Sequence, residues 1–353
     1  MKIAHRTLLR WVTAAAALLL LVWVATSIDA RAALAALIRL QPGDLLVLLA
    51  ANLAMLALFT ARWWLLLDAL GSRVPFARLM GYRLTAFGIS YFTPGPHFGG
   101  EPYQVYAVVR RHAVPPADAI AAVALDKLLE MLINFAMLAA GVALLLARSE
   151  QPASGREGQV LLLALLPVIA PTVLLAALLS GRRPLARLLG ARLSRLPAWA
   201  GALVRAEEQS VRLLQHKPRA LWWAAAISLL SWVGIIAEFR LLTYLLDLPL
   251  DLLEVVTALV AARIAILLPM PAGLGALEAG QALAASSLGL DPSLGVTIAL
   301  VIRGRDVLLG AAGLLLGGVH GRRPPRPLPA AATSPDEPVV IRYSTDRDPA
   351  RTL

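Results

Sequence analysis

Long apolar runs separated by basic loops constrain this chain more than any other feature of its sequence. Six runs are long enough to cross a hydrocarbon core of roughly 30 Å as helices. They cover residues 8–28, 45–67, 117–146, 160–179, 220–246 and 294–319. Only 16% of the residues are charged, against about 25% in a soluble domain. The sequence therefore predicts an all-α fold, a polytopic bundle of membrane helices.

The N-terminal run could also be read as a signal peptide, because a basic start precedes its apolar centre. Residues 8–28 are long for such a peptide, and further spans follow. We interpret this run as an uncleaved first membrane helix. The basic stretches 73–83, 182–217 and 322–326 are expected on the cytoplasmic face. Six spans then place both termini in the cytoplasm and the chain in the cell (inner) membrane.

Charge and residue usage narrow the function classes. A net charge of +11 would also fit nucleic-acid binding. The basic residues, however, lie between the apolar runs and do not form one patch with interleaved aromatics, so no nucleic-acid partner is expected. The chain has no cysteine, which excludes disulfides, thiol nucleophiles and cysteine zinc sites. Its five histidines are scattered, and we predict neither a metal site nor a cofactor.

Two regions outside the spans have their own composition. In residues 182–217, apolar positions recur at helical spacing between arginines. This pattern favours either an amphipathic helix on the cytoplasmic membrane face or an ordinary solvated connector, and both interpretations stay open. Residues 320–353 are proline-rich and polar, and we expect a disordered cytoplasmic tail after a membrane domain of residues 1–319.

Two stretches interrupt the apolar pattern, TPGPHFGGE at 93–101 and PMPAGLGALE at 269–278. Proline removes a backbone donor and glycine loosens the backbone, so a helix cannot continue through either stretch. In a membrane, unpaired backbone groups are tolerated where they are buried in protein or line a water-filled cavity. The breaks therefore predict a polar cavity at membrane depth. The helix-breaking residues are Pro94, Gly95, Pro96, Gly99, Gly100, Pro269, Pro271, Gly273 and Gly275.

The two halves of the chain match at an almost constant difference in residue number, which we call the repeat offset. The residues that match at this offset are Pro94 with Pro271, Glu101 with Glu278, Pro116 with Pro292, Lys127 with Arg303, Glu130 with Asp306 and Gly141 with Gly317. Each half thus has a broken re-entrant hairpin with a glutamate, followed by a helix with a cation and an acid. We predict two inverted repeats, about 45–147 and 220–319, with the ligand site near the membrane midplane.

Ionisable residues inside apolar helices are candidates for a substrate path. The candidates are Glu101, Lys127, Glu130, Arg263, Glu278, Arg303 and Asp306. The cations would meet an anionic phosphate, and the acids would hold the cations or titrate. A structural role is the alternative: the glutamates would be helix caps, and the residues three apart would be ion pairs. Arg305 is a further cation in the last helix, and Asp126 could instead face the membrane interface.

At these two stretches the chain resembles the lysylphosphatidylglycerol synthase transmembrane-region family, also called flippase-like membrane proteins. The first signature of that family, a break ending in Gly-Gly-Glu, stands here as PGPHFGGE at 94–101. The second stands as PAGLGALE at 271–278, and Arg303 fits the arginine of the closing helix. The similarity covers about residues 8–319. Gln104 stands where many members carry an arginine, and Ala272 replaces the first glycine of the second signature.

The resemblance implies movement of a lipid or a lipid-linked head group between leaflets, with anionic membrane lipids as partners. The aminoacyl-transfer chemistry of the family belongs to a separate soluble domain, and we expect neither that domain nor a catalytic residue here. Two alternatives stay open. A lipid-modifying enzyme would use Glu101 or Glu278 as general base, although no nucleophile–base pair or GxSxG motif is present. A scaffold would hold an envelope-lipid enzyme or a glycosyltransferase.

Overall fold

A computed structural model of the protein describes residues 41–93, 99–148, 156–189, 198–248, 250–267 and 275–321. These residues form eleven helices and no strand, so the all-α prediction is confirmed for them. The helices are α1 (Pro42–Ala69), α2 (Phe76–Phe92), α3 (Glu101–His112), α4 (Pro116–Arg148), α5 (Arg156–Leu179), α6 (Pro184–Leu189), α7 (Ala198–His216), α8 (Pro218–Leu245), α9 (Leu252–Leu267), α10 (Ala276–Ser287) and α11 (Pro292–Gly321).

Several predictions fall on other parts of the chain. The first predicted span and the tail from residue 322 lie outside the described residues. So do six of the helix-breaking residues, namely Pro94, Gly95, Pro96, Pro269, Pro271 and Gly273. The ends of both breaks are described, at 99–100 and at Gly275.

Four of the described helices are long and apolar enough to cross a membrane, by length and composition: α1, α4, α5 and α8. Each lies on a predicted span. The predicted span at 294–319 is also one continuous helix, α11, but it is not among the four. Three charged residues, Arg303, Arg305 and Asp306, interrupt its apolar sequence.

The helices of the two halves recur at the repeat offset. The first residues of α1 and α8 are separated by this offset, and so are those of α2 and α9 and those of α4 and α11. The first residues of α3 and α10 follow it almost as closely. Proline stands in the first turn of the long helices α1, α4, α8 and α11, where its missing N–H has no intrahelical partner to lose.

The hydrophobic core is divided in the same way. One cluster of buried side chains joins α1–α4 with α7 and also includes side chains of α5 and α8; it lies around Trp63, Leu79 and Leu125. A second cluster joins α8–α11, around Phe239, Val255 and Val301. Each half therefore buries apolar surface of its own, and the two halves meet through contacts of α1 with α8 and of α2 with α11.

The helices α1 and α8 run antiparallel. Lys217, just before α8, donates from Nζ to the carbonyl oxygen of Ala69 at the end of α1, at 2.7 Å. Further along, Met55 packs against Gly234. Since α2 follows α1 and α9 follows α8, the α2–α3 and α9–α10 hairpins start from opposite ends of the bundle. Inverted repeats require this arrangement, and a two-fold relation between the halves stays a prediction.

The contact of α2 with α11 depends on glycine. A Cβ atom at Gly88 would collide with the backbone of Gly310, and one at Gly313 would collide with the backbone of Leu84. Only hydrogen fits at these positions, so the two backbones touch directly. This close approach is typical of small residues at helix interfaces in membranes.

The described parts of the basic segment 182–217 form α6 and α7, and its location on the cytoplasmic membrane face stays a prediction. Val211, Leu213 and Leu214 of α7 are buried in the core cluster that contains α4 and Leu178 of α5. The apolar face of α7 therefore lies on protein and is not free to lie on lipid. Glu207 accepts the backbone N–H groups of Leu185 and Ala186, at 2.7 and 2.8 Å, and so caps the start of α6.

Candidate functional site

A cavity of about 450 Å³ lies between the two halves. All eight helices of the repeats, α1–α4 and α8–α11, contribute to its wall. The wall is largely apolar but includes ten acidic or basic side chains, which are Arg62, Arg83, Glu101, Asp126, Lys127, Glu130, Glu238, Arg263, Arg305 and Asp306. A cavity of this size is within the range of small-molecule sites. The helix breaks predict a polar cavity at membrane depth, and its position in a membrane stays a prediction.

The first half supplies a buried network on Asp126. Arg62 donates from Nε to Asp126 Oδ1 at 2.6 Å, and Arg83 donates from Nη1 to Asp126 Oδ2 at 2.7 Å. Arg62 also donates to Ser228 Oγ at 2.9 Å, which ties α1 to α8. Arg62 and Asp126 are 1% and 3% exposed. Because both charges are removed from water, each depends on the other.

Glu130 joins this network to the cavity. Its Oε2 atom accepts from Arg62 and Arg83 at 3.1 and 3.3 Å, and its Oε1 atom accepts from Lys127 Nζ at 2.9 Å. Lys127 Nζ also lies 3.3 Å from Glu101 Oε1. The other oxygen of Glu101, Oε2, accepts the backbone N–H of Gly99 at 2.9 Å. Glu101 therefore contacts both Gly99, at the end of the first break, and Lys127.

The second half has a separate bidentate pair. Arg303 donates from Nε and Nη2 to the two carboxylate oxygens of Glu278, at 2.6 and 2.8 Å. This fork geometry is the strongest form of an arginine–carboxylate pair. The Arg303 side chain is fully buried, and neither residue is part of the cavity wall. The pair fastens α10 to α11 behind the cavity.

Arg305 faces the cavity from the same helix. It donates to Glu238 of α8, and its Nε and Nη2 atoms lie 2.9 and 2.8 Å from Oδ1 of Asp306. One cation is thus shared by two carboxylates. This triad carries an excess of one negative charge.

Arg263 of α9 differs from the other cations of the cavity. Among the described residues, no carboxylate lies within salt-bridge distance of its guanidinium. The guanidinium instead stands over the ring of Trp232, 5.1 Å from the ring centroid, a cation–π contact. It lies in the electrostatic field of Arg305, a like charge, and of the carboxylates Glu130, Asp306 and Glu238. Arg263 therefore carries a positive charge in the cavity that no direct ion pair neutralises.

The structure brings together most of the predicted residues. Lys127 and Glu130 form the predicted pair between residues three apart on one helix. The structural alternative also predicted an ion pair between Arg303 and Asp306, and this prediction is wrong. Arg303 forms its salt bridge with Glu278, and Asp306 forms one with Arg305. The seven candidates thus divide into five that line the cavity and two, Glu278 and Arg303, that do not.

Part of the network consists of residues that were not predicted as site residues from the sequence. Asp126, which could have faced the membrane interface, is in fact buried between Arg62 and Arg83. Arg62 and Glu238 were not candidates, although both interrupt apolar runs. These two residues also match each other at the repeat offset, and that match could have identified them.

The carboxylates near the cavity are engaged by arginine or lysine. The part of the chain that the structure describes contains no group of three or more histidine, aspartate or glutamate residues placed to hold a metal ion. The arrangement is suited to binding a charged group through cations and hydrogen bonds.

Comparison with known proteins agrees with this architecture. Residues 10–313 match the family model described as the lysylphosphatidylglycerol synthase TM region. The match covers most of the chain, and the protein belongs to this family of membrane domains. Searches among curated proteins and among solved structures gave no match.

Proposed function

We propose that this protein is a flippase-like transporter, which moves an anionic lipid or lipid-linked head group between the leaflets of the inner membrane. One observation supports this above the others: Arg263 has no direct ion pair among the described residues, whereas the other cations of the cavity are paired with carboxylates. The proposal assigns a transport role with no covalent step and no catalytic residue.

The charge of Arg263 is costly without a ligand. A cation at membrane depth is expensive, and such residues usually face a cavity and pair with another group. Arginine binds phosphate through two parallel N–H donors. A phosphate in the cavity would supply the anion that Arg263 lacks among the described residues. The other cavity cations would then act mainly by holding the wall of the cavity, because their carboxylate partners already neutralise them.

The position of the cavity suits passage of a head group. Both hairpins contribute to its wall, the first through Glu101 and Gln104 and the second through Leu277. They start from opposite ends of the bundle, so the cavity lies between the two possible routes of entry. A polar head group could occupy it while the acyl chains stay in the hydrocarbon region. Gln104, at the family's arginine position, is buried in this wall, which leaves Arg263 as the cation available to an anion.

The test is leaflet exchange in reconstituted vesicles. Purified protein is placed in vesicles of phosphatidylcholine with fluorescent phosphatidylglycerol, and loss of outer-leaflet label is followed. Arg263→Gln is expected to slow exchange by about tenfold or more, since hydrogen bonds to charged groups contribute about 1.5–3 kcal/mol. Arg219→Gln is the matched control, because Arg219 is exposed at the start of α8. Equal rates for wild type and Arg263→Gln would refute the assigned role of Arg263.

A further inference from the structure

Two helix–helix contacts, which would be equivalent if the halves were exact repeats, differ in how closely the helices approach. At the repeat offset, the pair α2 and α11 corresponds to the pair α9 and α4. The α2–α11 contact is closed, with the backbone of α11 against the backbone of α2 at Gly88 and Gly313. In the α4–α9 contact, Gly141 approaches only the side chains of Val260 and Val256.

The cause lies in the residues at matching positions. Gly310 and Gly313 of α11 correspond, at the repeat offset, to Asn134 and Met137 of α4. These larger side chains prevent α4 from approaching α9 as closely as α11 approaches α2. Of these three positions, only the one matched to Gly317 is also glycine in α4, namely Gly141. The α4–α9 contact is therefore wider.

The wider contact contains an apolar pocket of about 160 Å³. Its wall comes from α4, α8 and α9 and includes Met137, Gly141, Leu144, Ile236, Val256 and Val260. Leu144 is 41% exposed, so the pocket reaches the outer surface of the bundle. An apolar cavity of about 150 Å³ stays dry and holds a benzene-sized group. The pocket is thus large enough for a stretch of hydrocarbon chain.

This pocket adjoins the cavity of the candidate site. Trp232, Leu259 and Arg263 belong to the walls of both. A cation therefore lies at the junction of a cavity lined by charged side chains and an apolar pocket that opens towards the outer surface of the bundle. An amphiphile has the same order of groups, an anionic head followed by a chain.

We propose that the α4–α9 pocket binds one acyl chain of an anionic glycerophospholipid whose phosphate is held by Arg263. The α4–α9 contact is the lateral opening through which that chain stays in the bilayer while the head group enters the cavity. The identity of the ligand as a transported lipid rests on the proposed function. The pocket as a chain-binding site rests on its own geometry.

The first experiment maps the chain directly. Protein is reconstituted in phosphatidylcholine vesicles that contain phosphatidylglycerol with a photoreactive diazirine in one acyl chain, and adducts are located by mass spectrometry. In the wild type, adducts are expected on residues 137–144 and 256–263. Ala140→Phe places a ring in the pocket, because Ala140 is part of its wall. In this variant, the yield of these adducts is expected to fall by about tenfold or more.

The matched control is Ala136→Phe, on the same helix one turn earlier. Ala136 is exposed and lines neither the cavity nor the pocket. It reports on ordinary lipid contact at the surface and on tolerance of α4 for phenylalanine. Adducts kept in Ala136→Phe and lost in Ala140→Phe support the pocket. Adducts that are the same in all three proteins overturn it.

A second variant keeps the proposal testable if Ala140→Phe does not fold. The chain has no cysteine, so Gly141→Cys with Val260→Cys gives one possible crosslink. A Cβ at Gly141 would lie 2.7 Å from Val260 Cγ2, which places the two thiols side by side. Oxidation is expected to stop phosphatidylglycerol exchange, and reduction is expected to restore it. Unchanged exchange in the fully crosslinked protein contradicts a lateral opening here.

The same samples separate this inference from the proposed function. If Ala140→Phe exchanges lipid like the wild type and its adducts are unchanged, the pocket is not a chain-binding site. The proposed transport function is then not affected. Pocket adducts in a wild type that shows no exchange support the chain site and refute transport.

Discussion

Asp126 is the residue on which the buried network of the first half depends. It accepts from both Arg62 and Arg83, while Glu130 accepts from the same two arginines at longer distances. Removing one partner from a buried ion pair is strongly destabilising, because the other charge stays buried without compensation.

Asp126→Asn should therefore lower the free energy of unfolding by about 3 kcal/mol. The measurement is denaturant unfolding of the purified protein in detergent micelles. Asp68→Asn serves as the control, since Asp68 is exposed near the end of α1 and a surface change is expected within about 0.5 kcal/mol. Similar losses in the two variants would show that the network does not stabilise the fold as its geometry indicates.

At the scale of the helices, the α2–α11 contact requires glycine at particular positions. In α11, a Cβ at Gly313 would overlap the backbone of Leu84, whereas a Cβ at Gly318 would meet nothing within 4 Å. The two glycines have the same intrinsic cost in a helix, roughly 1 kcal/mol relative to alanine. Their different surroundings should reverse the sign of the same substitution.

Gly313→Ala should destabilise the protein by about 1–3 kcal/mol, because backbone has to move to admit the methyl group. Gly318→Ala should stabilise it by up to about 1 kcal/mol through helix propensity. Unfolding of both variants, side by side in the same detergent, gives the comparison. A destabilisation shared equally by the two would mean that the helices do not touch at Gly313.

The helices could be predicted better than the ion pairs, because a helix depends on residues that are close together in the sequence. Apolar runs identify a helix from consecutive residues, and the pair of Lys127 with Glu130 follows from helical spacing alone. The partner of Arg303 does not, because Glu278 is 25 residues away on another helix, and packing of α10 on α11 selects it over Asp306. For the same reason Arg62 could not be matched to Asp126 before their helices were placed together.

For the whole molecule, opposite entry of the two hairpins requires that the α4–α5 loop and the α6–α7 region lie on opposite faces of the membrane. Because the chain has no cysteine, single cysteines report on this without background. A membrane-impermeant maleimide added to intact cells should label Gly158→Cys, in α5 next to that loop, and should label Gln215→Cys in α7 only after the cells are opened. Labelling of both in intact cells would rule out the proposed orientation.

The preference for anionic over zwitterionic lipid is a property of the whole molecule that depends on Arg263 in the cavity. The measurement to make first compares exchange of phosphatidylglycerol with exchange of phosphatidylcholine, for wild type and for Arg263→Gln, against vesicles without protein. Wild type should exchange the anionic lipid faster. The ratio of the phosphatidylglycerol rate to the phosphatidylcholine rate should fall towards one in Arg263→Gln, because the cavity cation without a direct ion pair is gone. Exchange of neither lipid above that of protein-free vesicles, by folded wild type, would contradict the proposed transport function.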